Sequence, residues 1–323
     1  MRILSREEVR QALELRKLFE AMREGFRMLA EGQCQMPLRV TIEMQESRGA
    51  SLFMPAYCAG LKAAGIKIVS LMDENPARNL PLIHSKYLYL SSETGEILSL
   101  MDAEYLTALR TAIVSALVTD LLGKSQGGTL AIFGTGVQAW FHAEVFSKLF
   151  RIGETLVFGR TPESSRHFAE RLEREFGKPA RHALLPDLKL ADVICTCTRS
   201  SAPLFELKDV RLGAHINAIG AYQPTTREIG SDVVANAVIV VDSYEAALKE
   251  AGDIVIPIAQ GALRREDIYA SIDELVSGAK PAEIANNQLT LFKSVGIAIE
   301  DLVAAHLAYN EAVRLGIGTQ LTM

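Results

Sequence analysis

The residues best placed by type and spacing to do chemistry lie in "TLAIFGTGVQAWFHAEVF" (129–146), where an apolar run passes through two glycines into a helical pattern. Gly134 and Gly136 occupy the first two positions of G-x-G-x-x-G/A, and Ala139 takes the third. The first glycine permits a tight strand-to-helix turn. The second lets a pyrophosphate approach the backbone, and a small third residue lets the helix lie close to a sheet. The helix start then offers free N–H groups and a positive dipole end to phosphate oxygens. Gly134, Thr135, Gly136, Val137 and Gln138 are therefore read as a dinucleotide-binding turn.

The end of the next strand bears on which dinucleotide is bound. An NAD site usually places Asp or Glu there to accept from the ribose 2′-OH. This chain instead reads "VFGRTPE", with Arg160 and Thr161 in that place. A guanidinium pairs with a 2′-phosphate, and a missing carboxylate removes repulsion, so NADPH is favoured and NADH is retained as the second choice. A solvated loop arginine is the competing reading of Arg160.

Other chemistries find less support. Cys34 and Cys58 are isolated in sequence, while Cys195 and Cys197 sit in the apolar, strand-like run "ADVICTCT". The six histidines show no HExxH or paired-ligand spacing, so no metal is expected. A net charge of −5 without a clustered Lys/Arg face argues against a nucleic-acid partner. No apolar run approaches the roughly 18 residues that span a membrane. The N-terminal "MRILSREEVRQALEL" lacks the apolar centre of a signal peptide, so a cytoplasmic protein is expected.

The elements that must position the turn follow from the hydrophobic pattern. With 323 residues, of which 49% are hydrophobic and 23% charged, the chain is expected to form two globular domains. Its middle alternates apolar strands at 129–134, 155–159, 191–198, 215–220 and 237–242 with helical stretches such as 137–150 and 162–176. Continuous apolar strands separated by helices imply a parallel sheet covered on both faces. The first 115 or so residues read as a helix near 6–31 and strands at 38–44, 51–57, 65–72, 85–92 and 96–101, with Thr94-Gly95 as a hairpin turn. A helix over 103–122 leads into the second domain, and a last helix spans about 298–314. The fold class is α/β: a Rossmann-type doubly wound parallel sheet plus an α+β domain.

Several segments together resemble the ornithine cyclodeaminase/μ-crystallin family, which also includes archaeal alanine dehydrogenases and ketimine reductases. They are "QMPLRV" (35–40), "FMPAY" (53–57), "GIKIVSLMDENPARNLP" (65–81), "SSETGEILSLMDAEYLTALRTAIVSAL" (91–117), "GTGVQA" (134–139), "GRTPE" (159–163), "INAIGAYQPTTREI" (216–229), "EAGDIVIP" (250–257) and "KSVGIAIEDLVAAHLAY" (293–309). The resemblance implies a homodimer whose N-terminal sheets pair, and a substrate site in the cleft between domains. Residues 1–118 with 297–323 would form the substrate and dimerisation domain, and 119–296 the NAD(P)-binding domain. It also implies that Arg39, Lys67 and Arg110 contact the substrate carboxylate or lie beside it. A planar guanidinium grips a carboxylate through two parallel hydrogen bonds.

Each of these residues has a plainer reading. Arg110 lies in an otherwise apolar helix and must find a partner, which an internal salt bridge would also provide. Lys67 alternates with Ile66 and Ile68, as a solvent-facing strand residue would. Asp301, a catalytic candidate together with Lys67 and Arg110, matches a family aspartate near the nicotinamide, yet a carboxylate is favourable at any helix start. Thr196, Gly220, Val295 and Gly296 complete the cofactor-binding candidates.

Departures from the family point to the reaction. Cyclodeaminases carry an aspartate where this chain has Tyr222, and an acid near Leu52 and Phe53. A phenol with a pKa near 10 is a poor base at neutral pH. Members lacking this aspartate reduce cyclic ketimines such as Δ1-pyrroline-2-carboxylate and Δ1-piperideine-2-carboxylate to L-proline or L-pipecolate. That reaction, a step of proline metabolism for the first substrate, asks the protein to hold the carboxylate, orient the ring and exclude water. Arg110 and Arg39 would clamp the carboxylate, Lys67 or a water would hold the imine proton, and Tyr222 would line the pocket. The alternatives are ornithine cyclodeaminase, alanine or N-methylalanine dehydrogenase, and a non-catalytic ligand-binding protein.

Overall fold

The computed structural model describes residues 1–125 and 128–322. The chain opens with β1 (Arg2–Leu4), α1 (Arg6–Ala12), α2 (Leu15–Ala30), β2 (Cys34–Gln35), β3 (Val40–Met44), β4 (Gly49–Cys58) and β5 (Ala63–Met72). It continues with β6 (Ile83–Ser91), β7 (Ile97–Asp102), α3 (Ala103–Leu121), β8 (Gly128–Phe133), α4 (Val137–Leu149), β9 (Ile152–Phe158), α5 (Pro162–Phe176) and β10 (Ala180–His182). Next come β11 (Val193–Thr196), β12 (His215–Ala218), α6 (Ser231–Val234), β13 (Val238–Val241), α7 (Tyr244–Glu250) and α8 (Gly252–Ala259). The chain closes with β14 (Ile268–Ser271), α9 (Ile272–Ser277), β15 (Thr290–Lys293), α10 (Ala298–Leu315) and β16 (Thr319–Gln320). Two compact units result, Met1–Thr111 with Ile297–Met323, and Ala112–Gly296.

The first unit holds an eight-stranded sheet in the order β16-β1-β7-β6-β5-β4-β2, with β3 also on β4. Its pairings are antiparallel except β1 with β7. Met54, Lys67, Tyr87 and Met101 are successive register partners across β4 to β7, so they share one face, and all four are buried. Helix α10 packs on β4, β5 and β6, with α2 packed against it in turn. Gly25 of α2 comes so close to α10 that a β-carbon there would lie 2.4 Å from Val303 Cγ2.

The second unit is a parallel eight-stranded sheet, β10-β9-β8-β11-β12-β15-β13-β14. Every residue of β11, β12 and β15 is buried, as strands covered on both faces must be. Helix α5 begins where its proline predicts, with Thr161 as N-cap and Gly177 closing it at φ 64°.

Three expectations change. The single helix over 6–31 is two helices, because Leu13 turns extended to bury its side chain and Glu14 caps α2 by accepting from Arg16 N at 3.3 Å. Gly95 does sit in the β6–β7 turn at φ 78°, but the loop runs wider than two residues, closed by Gly95 N to Ser91 O and Ser91 N to Glu96 O. Cys34 and Cys58, isolated in sequence, are direct cross-strand partners of β2 and β4, with both thiols free. The strands β1, β2, β10, β14, β15 and β16 escape the sequence pattern because two to four residues show no clear alternation.

Gly65 lies on the Lys67 face, where a β-carbon would come within 2.4 Å of Tyr87 Oη. Tyr87 is fully buried and cannot swing away. Gly65→Ala is expected to destabilise the fold by about 1–3 kcal/mol, read as a lower urea midpoint at unchanged slope.

Candidate active site

Lys67 projects from β5 beneath α10, and its Nζ lies 2.7 Å from Asp301 Oδ2 in ion-pair contact. Arg110, from α3, donates through Nε to Asp301 Oδ1 at 3.0 Å and through Nη1 to Glu300. All four side chains are buried. Glu300 and Asp301 stand in the first turn of α10, where the helix dipole favours negative charge. Two cations and two carboxylates thus balance in a dry setting, where removing either sign leaves an uncompensated charge.

The cluster perturbs its members. Burial pushes Lys67 down to about 8, helped by the charges of Arg110 and Arg39 and opposed by Asp301. Burial alone would raise Asp301, but the Arg110 and Lys67 charges outweigh it and hold the carboxyl below its ordinary value. Tyr87 is raised well above the usual phenol range by burial and then by the Asp301 carboxylate. Arg39 is half-buried in the segment before β3, near enough for its charge to be felt at Lys67.

The plainer readings are resolved by this geometry. Lys67 does not face solvent. Arg110 does make the internal salt bridge, and one of its two acids, Asp301, also meets Lys67. Asp301 is more than a helix-start acid, since both of its oxygens meet cations. Glu300 was not singled out from sequence, although two adjacent acids in the apolar run "VGIAIEDLVAA" are the signal that marks it.

In the second unit the glycine turn has the predicted form. Gly134 adopts φ 108° and donates to Phe158 O at 2.8 Å, and a β-carbon there would meet Cys197 O at 2.7 Å. Gly136 is the N-cap of α4, with no side chain capping the helix and open space where a β-carbon would stand. Ala139 is buried, whereas Val137 is exposed and Thr135 and Gln138 are half-buried. The arrangement fits a pyrophosphate on open helix N–H groups. His142 braces it: its Nδ1 lies 2.8 Å from Gln138 O, which can only accept, so Nε2 accepts from Ser115 Oγ at 2.9 Å. Burial pushes this histidine down to about 4 and keeps it neutral.

The remaining candidates stand at strand ends. Arg160 is exposed just beyond β9. Thr161 caps α5, accepting from Ser164 N at 3.2 Å. Thr196 Oγ1 and Gly220 N donate to Glu228 at 2.8 and 2.7 Å, while Val295 N and Gly296 N each donate to Asp242 Oδ2 at 2.7 Å. Glu228 and Asp242, both buried, were missed because nothing in "TTREIG" or "IVVDS" separates a buried acid from a loop acid. Tyr222 is 38% exposed on the loop after β12. Among the described residues no group of His, Cys, Asp and Glu could hold a metal ion, and no helix is long and apolar enough to cross a membrane.

A parallel sheet with a G-x-G turn and an open helix start defines a Rossmann-type dinucleotide domain. Comparison with known proteins makes the assignment particular: the model of the ornithine cyclodeaminase/mu-crystallin family matches residues 1–315, and the chain belongs to that family. It is 37% identical over 311 residues to the ketimine reductase mu-crystallin of Mus musculus, covering 95% of this chain and 96% of that protein. Among solved structures, Thermococcus litoralis Δ1-pyrroline-2-carboxylate reductase in complex with NADH and L-proline matches with a TM-score of 0.94 and 33% identity, over 99% of this chain and 100% of that one. An archaeal alanine dehydrogenase dimer with bound NAD matches with a TM-score of 0.91 and 31% identity, over 100% and 99%.

Asp301→Asn strips the carboxylate from two buried cations and is expected to cost about 3–5 kcal/mol in chemical denaturation. Because the folded Asp301 titrates below the unfolded aspartate, its contribution is complete above the unfolded pKa and is lost as pH falls through the folded value. Thermal unfolding should therefore lose less stability between neutral and strongly acidic pH in Asp301→Asn than in the parent chain.

Proposed function

We propose that this chain is an NAD(P)H-dependent reductase of cyclic ketimines, converting Δ1-pyrroline-2-carboxylate or Δ1-piperideine-2-carboxylate to L-proline or L-pipecolate. The observation that carries this reading is the end-to-end similarity to the Thermococcus litoralis reductase, whose structure holds NADH and L-proline. The residues support it. When bound, the reduced nicotinamide supplies the hydride that C2 of the imine accepts. Arg110 and Arg39 hold the substrate carboxylate, and Glu300 and Asp301 fix the plane of the Arg110 guanidinium before substrate arrives. Lys67, brought close to physiological pH by burial, holds or replaces the proton on the imine nitrogen, directly or through a water. Asp301 keeps that ammonium aligned.

Cyclodeamination is disfavoured because a tyrosine stands where that reaction needs a carboxylate base. Alanine dehydrogenation is the second reading, favoured by the likeness to the archaeal enzyme and using the same transfer to an acyclic imine. Exposed Arg160 favours NADPH through its 2′-phosphate, while the solved relatives contain NADH and NAD. A homodimer is supported by the archaeal dimer and by β3, which among the described residues pairs only with β4 and exposes Val40 and Ile42.

Purified protein mixed with either reduced dinucleotide should oxidise it in the presence of both cyclic imines faster than with pyruvate and ammonium. Silence with both imines would sink the proposal, and proline with ammonia formed from ornithine and NAD+ would restore cyclodeamination. Arg160→Ala should raise the KM for NADPH about tenfold, equivalent to roughly 1.4 kcal/mol, and leave NADH nearly untouched. Reduction should also decline above about pH 8 as Lys67 loses its proton. Asp301→Asn should move that limb lower, since the carboxylate is what holds the ammonium charged.

A further inference from the structure

A second buried charge cluster lies at the C-terminal edge of the parallel sheet. One Glu228 oxygen accepts from Thr198 N and Thr198 Oγ1, both at 2.7 Å. The other accepts from Thr196 Oγ1 at 2.8 Å, Gly220 N at 2.7 Å and Ala221 N at 3.3 Å. Burial pushes the Glu228 carboxyl up, while the converging donors and the Lys293 charge favour its acceptor-only, ionised form. Asp253, at the start of α8, takes Glu228 N and Ile229 N on Oδ1 at 2.7 and 2.8 Å. Lys293, the last residue of β15, contacts Asp253 Oδ2 at 2.8 Å and donates to Ala218 O and Ala221 O at 3.1 and 2.5 Å. All three side chains are completely buried.

Two glycines make this closeness sterically feasible. A β-carbon on Gly220 would lie 2.0 Å from Thr198 O, and one on Gly252 would lie 2.0 Å from Thr226 O. The ends of β11 and β12 and the loop carrying Tyr222 are thus pinned from both sides. In doubly wound sheets the ligand lies outside these carboxyl ends of the strands.

We propose that Glu228 is a positioning residue for the dinucleotide: it fixes the backbone of Thr196–Thr198 and Gly220–Ala221 as a rigid floor for the bound cofactor without touching it. The proposal rests on reading the second unit as the dinucleotide domain, but not on the identity of the imine. Glu228→Gln puts an amide N–H₂ among donors and breaks the floor. Thr198→Val deletes one donor, whereas Thr198→Ser keeps it.

The test is fluorescence titration of the full-length chain with NADH and NADPH, alongside thermal unfolding. Glu228→Gln is expected to bind both dinucleotides about tenfold or more weakly, the scale of a lost charge-assisted hydrogen bond. Thr198→Val should weaken binding about threefold, a milder case of the same loss, and Thr198→Ser should restore it. Wild-type affinity in folded Glu228→Gln would overturn the proposal, as would equal affinities for Thr198→Val and Thr198→Ser. If Glu228→Gln does not fold, the threonine pair decides. A parent chain that binds dinucleotide yet reduces no imine refutes the proposed substrate alone, and one that binds no dinucleotide refutes both readings.

Discussion

The first unit depends on a constraint of electrostatics: two cations on a sheet and a helix cannot be buried without carboxylates to meet them. Lys67 and Arg110 come from β5 and α3, and their acids from α10. Desolvation costs several kcal/mol per ion, so the pairing more nearly offsets that cost than adds net stability. Its value is geometric. A guanidinium held by two acids and an ammonium held by a third contact have defined positions before any ligand arrives, which is what recognition of a small anionic ring requires.

The second unit solves a different problem, that of aiming backbone at a cofactor. Its strands β11, β12 and β15 are buried throughout, and in such sheets ligands lie outside the C-terminal ends of the strands. At those ends the N–H groups of Gly220, Val295 and Gly296 are tied to internal carboxylates. Open N–H groups remain where the G-x-G turn meets α4, because Gly136 brings no capping side chain. Buried acids thus brace the backbone at the strand ends, while the start of α4 is left without a capping side chain.

Much of this was legible in the sequence. The long strands, helices α3, α4, α5 and α10, and the glycine turn follow from period, proline and glycine signals. Lys67, Arg110 and Asp301 could be picked out by family resemblance, but their mutual contacts could not, because the partners lie 191 residues apart for Arg110 and Asp301. Glu300, Glu228 and Asp253 stayed hidden for a related reason. Burial of an acid is decided by tertiary packing, and an acid near a helix start or in a loop looks ordinary in one dimension. The break at Leu13 and Glu14 was masked because both flanking helices share an apolar period.

The first unit is also discontinuous in sequence: all of its sheet except β16, and both Lys67 and Arg110, precede Ala112, while α10 and β16 follow Gly296. During synthesis, Lys67 and Arg110 leave the ribosome long before the carboxylates that neutralise them. Until α10 is made, the face bearing Met54, Lys67, Tyr87 and Met101 has neither its apolar cover nor its countercharge. Chains terminated anywhere within the second unit therefore carry an unfinished site and an unfinished core together. Inactive fragments are thereby also unstable ones, open to proteolytic removal.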